Sequence, residues 1–189
     1  MVTTQTRPST ATARRRSVRE THWPLETAWT GANEKGWFKA PRTLPLVLGL
    51  LAAKHISGSQ DPSRVYLELL SRHLDEGVIA MEAPDDHAFA AGYEGPRGVR
   101  TWRERMGILE REGFIKVKSI GTKKYAYVLL VHPNVAIRQL RQQGRISDTW
   151  WEAYSERQAE TGQLPSSDDL ILEPALPGKR AIDLSETGS

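Results

Sequence analysis

The chain has 189 residues, 39% of them hydrophobic, and 26 Lys/Arg against 23 Asp/Glu give a net charge of +3. That length and apolar content suit one compact domain with polar ends, and without an apolar run of about 18 residues the sequence predicts nothing that spans a membrane. Cysteine is absent, which excludes disulfides, thiol nucleophiles and cysteine-ligated zinc and fits a reducing, cytoplasmic setting.

Residues 1–22 carry five Arg and one acid among Thr and Ser. They have too little apolar surface to repay ordering, so they read as a disordered basic arm. Within it, "ARRRSVR" suits either contact with phosphates or a solvated tail. Residues 23–42 place Trp23, Trp29, Trp37 and Phe38 among Pro and Gly, as expected of an irregular extension packed through its aromatics. From Thr43 the period becomes helical. "TLPLVLGLLAAKHISG" predicts one helix closed by Gly58, and "PSRVYLELLSRHLDEG" a second closed by Gly77. A short strand follows over Val78–Met81. Next comes a short helix capped by Asp85 or Asp86 and ended at Gly92. "EGPRG" is a turn by composition, and a helix over Val99–Glu112 stops at Gly113. "FIKVKSIGTKKYAYVLLVHP" then switches to alternation around "GTKK", which predicts a β-hairpin with a basic tip. Two helical stretches, "NVAIRQLRQQG" and "SDTWWEAYSERQAETG", close the ordered chain. Residues 156–189 hold three basic and seven acidic side chains, and from residue 163 onward they predict a disordered acidic tail.

Charge is uneven along this order. Residues 97–124 contain nine Lys/Arg and three Glu, a local excess that points to a polyanionic partner more than the total charge does. At about 100° per residue, Val99, Trp102, Met106 and Leu109 form one stripe of the basic helix. Arg100, Thr101, Glu104, Gly107, Ile108 and Arg111 form the opposite face, with Arg103 and Arg105 on the flanks. The stripe fastens the helix to a core and turns a cationic face outward.

The segment "DDHAFAAGYEGPRGVRTWRERMGILEREGFIKVKSIGTKKYAYVLL", and above all "RTWRERMGILEREGFIKV", resembles the winged helix-turn-helix superfamily of DNA-binding domains. The resemblance covers roughly residues 43–131. It implies an α+β, mainly helical fold with a winged domain over 23–131 and a hairpin wing, to which the residue pattern adds extra helices over 132–162 and disordered ends over 1–22 and 163–189. The basic helix would then enter the major groove of double-stranded DNA. Its base-facing candidates are Arg97, Arg100, Thr101 and Glu104, because Arg pairs bidentately with guanine and Glu accepts from cytosine N4. Arg103, Arg105 and Arg111 add positive charge. Lys116, Lys118, Lys123 and Lys124 on the wing suit phosphates. Gly107 would let the helix backbone approach closely.

The chain is also similar to uncharacterised proteins of bacterial plasmids, in "GWFKAPRTLPLVLGLL", "VYLELLSRHLDEGV" and "VRTWRERMGILEREGFIKV". Three roles stay open: a transcriptional regulator, a plasmid replication or partition protein, and a winged protein-interaction module. No nucleotide-binding loop is present, and the histidines lack metal spacing, so neither an enzyme nor a metal or other cofactor is expected. "PDDHAF" reads as a helix start, not as a ligand set. Trp150, Trp151 and Tyr154 either pack within the chain or join a homodimer through residues 134–162.

Overall fold

The computed structural model describes residues 10–22, 38–72 and 77–162, and its first element is a helix where the composition predicts none: α1, Thr10–His22. α1 buries little, as its composition implies, with Val18 45% exposed. Local propensity is a separate matter. Ala and Arg are strong helix formers, and no Gly or Pro interrupts the segment. Met1–Trp37 forms one unit and Phe38–Ser189 another. The expected packing of Trp23, Trp29 and Trp37 and the acidic tail lie outside the described residues.

The second unit begins with α2, Leu44–Ala52, whose Leu44, Val47, Leu50 and Leu51 are buried. The single helix expected up to Gly58 is broken at Ala53, where φ −68° and ψ 134° are extended, and α3 follows over Lys54–Ser57. An uninterrupted helix would place Ile56 about 180° from Val47. The break turns Ile56 inward instead, to 2% exposure. α4, Ser63–Arg72, buries Val65, Tyr66, Leu69 and Leu70. β1 is Val78–Ala80 and α5 is Pro84–Ala90. Neither Asp85 nor Asp86 caps α5: Ala83 holds the cap position and no side chain bonds there. Pro84 occupies the start of the helix, which puts both carboxylates in the first turn, where they still complement the dipole.

α6, Gly98–Arg111, leads into β2, Ile115–Ile120, and β3, Lys123–Leu130. The three strands form an antiparallel sheet in the order β1-β3-β2. Ile79, Val117 and Val128 are register partners facing the core, while Ala80, Tyr127 and Lys118 share the other face. Trp102, Met106 and Leu109 are fully buried, as the stripe predicts. Ile108, expected on the outer face, is also buried at 4% exposure. It widens the covered face of α6 toward the side where Arg111 meets α3.

α7, Pro133–Gln142, and α8, Asp148–Glu160, close the described chain. Ser147 caps α8 by accepting from the backbone N–H of Trp150. Ala136, Ile137, Leu140, Ile146 and Tyr154 belong to the same core cluster as α2, α4 and α6, with Trp150 and Trp151 half-buried against it. The Tyr154 ring stacks on Trp150 at 5.1 Å, and its hydroxyl bonds to Asn134. Glu112 ties this region to α6. Its carboxylate is fully covered and pairs with Arg111 at 2.8 Å and with Arg145. Arg145 and Arg111 each also donate to the Ile56 carbonyl at 3.4 Å. No described helix is long and apolar enough to cross a membrane.

Candidate nucleic-acid interface

The basic helix starts from a tight approach of backbone to backbone. A Cβ on Gly98 would stand 2.5 Å from the Tyr93 carbonyl oxygen, so the turn after α5 can feed α6 here only through glycine. Trp102 then anchors the helix. It packs edge-on against Tyr125 of β3, centroids 5.8 Å apart, and stacks beside His87 of α5. The Tyr125 hydroxyl donates to the Arg103 carbonyl at 3.4 Å. These contacts fix how far the hairpin stands from α6.

The hairpin reverses through Gly121 and Thr122, between the paired residues Ile120 and Lys123. Gly121 has φ +56°, a conformation that costs a side-chain-bearing residue energy but glycine almost nothing. Between α6 and this tip lies an open cleft of about 640 Å³, lined by Arg100, Arg103 and Glu104 on one wall and Thr122, Lys123 and Lys124 on the other. Its charges are partly compensated. Arg100 donates to Glu104 at 3.1 Å, and Lys124 lies 3.3 Å from Glu110. Lys123 reaches the Glu82 carbonyl at 3.4 Å. Among the described residues no carboxylate lies within ion-pair distance of Arg103 or Lys123. Contacts with Tyr125 and then with Glu110 raise the Lys124 pKa above its ordinary value, so this ammonium stays charged throughout the physiological range.

The expected site residues fall into several places. Arg100, Arg103, Glu104, Lys123 and Lys124 converge on the cleft. Arg97 stands exposed at the start of α6, and Thr101 is half-buried on the flank away from the hairpin. Arg105 does not face outward: its side chain is 15% exposed, 3.7 Å from Glu104, with Nε and one terminal nitrogen lacking a hydrogen-bond partner among the described residues. It sits on the side of the helix covered by neighbouring elements. Arg111 is held by Glu112 and the Ile56 carbonyl, which makes it a structural cation at the far end of α6. Lys116 and Lys118 pair in register with Leu129 and Tyr127, on the sheet face turned away from the core. Strand alternation therefore separates these two lysines from the cleft.

Glu110, Thr122 and Tyr125 belong to the cleft region without having been singled out from the sequence. Glu110 was within reach, since it follows Arg103 by seven residues and shares its side of the helix. Among the described residues no group of three or more His, Asp or Glu could hold a metal ion, and of the titratable side chains in "PDDHAF" only His87 turns into the core. Its Nδ1 lies 2.9 Å from Glu68. Comparison with known proteins gives no matching family model, no matching curated protein and no matching solved structure.

Proposed function

We propose that this chain is a winged helix-turn-helix protein that binds double-stranded DNA sequence-specifically and acts as a transcriptional regulator in the cytoplasm. The fold assignment rests on element order: helices α2 and α4, then β1, α5, α6 and a β2–β3 hairpin, with β3 between β1 and β2. In that arrangement α6 is the recognition helix and the hairpin is the wing.

One observation carries the functional reading. The cleft between α6 and the hairpin tip has cations on both walls, and Arg103 and Lys123 have no carboxylate partner among the described residues. An unpaired guanidinium on a fixed helix suits guanine O6 and N7 in a major groove, while lysines on a hairpin tip suit phosphates. Selection of bound fragments from random duplex DNA by the full chain tests it. Recovery of a common site supports the reading, and recovery of unrelated sequences with equal affinity refutes sequence specificity.

A second reading, a protein-interaction module, is favoured by a different surface. Val78, Tyr127 and Leu129 are 50%, 44% and 39% exposed on the outer sheet face. A chain that captured a protein through this face and showed no duplex affinity would support that reading instead.

A further inference from the structure

α1 is a helix without an apolar face. Its one large apolar side chain, Val18, is 45% exposed, and every other described side chain on it is exposed or half-exposed. An isolated helix of 13 residues is marginal in water, since propensity alone scarcely repays nucleation. What α1 does present is charge. Arg15, Arg16 and Arg19 fall within an arc of about 100° around the axis, and Arg14 flanks them. Arg19 has a loose pair with Glu20 at 3.7 Å. Among the described residues no carboxylate lies within ion-pair distance of Arg14, Arg15 or Arg16.

From these observations we infer that α1 is a second DNA-binding element, a helix that orders on the phosphate backbone of the duplex held by α6 and the wing. The inference rests on the duplex-binding reading of that cleft. Guanidinium groups bind phosphate oxygens bidentately, and their neutralisation by a polyanion would favour the helix over the coil. An anionic membrane would also attract the arginines, but an interfacial helix needs a broad apolar face, which α1 lacks. Covalent reach allows the contact. Residues 23–43 span at most roughly 70 Å, about two turns of duplex, and a tethered second contact adds affinity through effective concentration.

The test uses the full chain carrying Arg15→Gln, Arg16→Gln and Arg19→Gln, positions outside the core of the second unit. Fluorescence anisotropy over a salt series on the preferred duplex should show a salt slope lower by roughly two to three units, about 0.9 per lost phosphate contact. The preferred sequence should stay the same. Circular dichroism should show helical signal gained by the native chain on adding duplex, and a smaller gain in the triple variant. An unchanged slope and unchanged affinity would overturn the inference while leaving the cleft reading intact. If the triple variant lost all duplex binding while Arg103→Ala lost none, the cleft reading would fail instead. Co-sedimentation with vesicles of one part phosphatidylserine to three parts phosphatidylcholine provides the other arm. Vesicle binding lost in the triple variant, with the duplex slope unchanged, would overturn the inference in favour of a membrane contact.

Discussion

Lys124 of the hairpin lies 3.3 Å from Glu110 of α6, with its ammonium 4.9 Å from the centre of the Tyr125 ring. This pair links the hairpin to α6 and competes with any phosphate for the same cation. The Lys124 side chain is 60% exposed and that of Glu110 36%, so solvent screens the pair and it contributes little to stability, about 0–1 kcal/mol. Glu110→Gln should therefore leave the melting temperature nearly unchanged and tighten duplex binding on all sequences alike, since it removes a negative charge and frees Lys124. Anisotropy on preferred and random duplexes checks this, and weaker binding would mean that Glu110 helps hold the hairpin in place for the duplex.

Gly107 offers a test of how closely the helix backbone approaches its ligand. A Cβ there would stand 3.9 Å from the Tyr125 hydroxyl, ordinary contact distance. Gly107→Ala should raise stability by roughly 0.5–1 kcal/mol through helix propensity while weakening binding to the preferred duplex. Denaturant unfolding and anisotropy on the same variant separate the two effects. A variant improved in both would mean that the backbone never comes near the DNA at this point.

Trp102 is fully buried between His87 and Tyr125. Trp102→Ala should cost roughly 3–5 kcal/mol of stability, the range for truncating a large buried aromatic. Urea unfolding measures it. A stable variant that had lost only DNA binding would place the indole toward the ligand.

Tyr154 tests the role of the last two helices. Its ring is 1% exposed and its hydroxyl bonds to Asn134 within the same chain. Tyr154→Ala should destabilise the domain by roughly 3–5 kcal/mol. If the fold survived intact and light scattering instead showed a dimer dissociating, residues 134–162 would be an assembly surface.

The stripe on α6 and the hairpin were legible in the sequence because each depends on local periodicity. The single helix expected up to Gly58 missed the break at Ala53, because only the surrounding core reveals that the chain must turn there to bury Ile56. The hairpin lysines show the same limit: alternation sorts Lys116 and Lys118 from Val117, but only the strand order shows which face meets the cleft. Arg105 and Arg111 look like any other arginines in "RTWRERMGILER", and their covering by other elements is a tertiary fact. The helicity of α1 was hidden for a different reason. A low apolar content argues against burial, and α1 is helical without being buried.

On the proposed function, the cleft between α6 and the hairpin reads duplex DNA through Arg103. The most direct measurement is a salt-resolved anisotropy titration of native and Arg103→Ala full chains against a selected duplex and a random one. The account predicts native binding that prefers the selected duplex and weakens steeply with salt. Arg103→Ala should lose on the order of 1–3 kcal/mol on the selected duplex and relax preference at one base pair. No native complex with any duplex at low salt, or identical binding by Arg103→Ala, would contradict it.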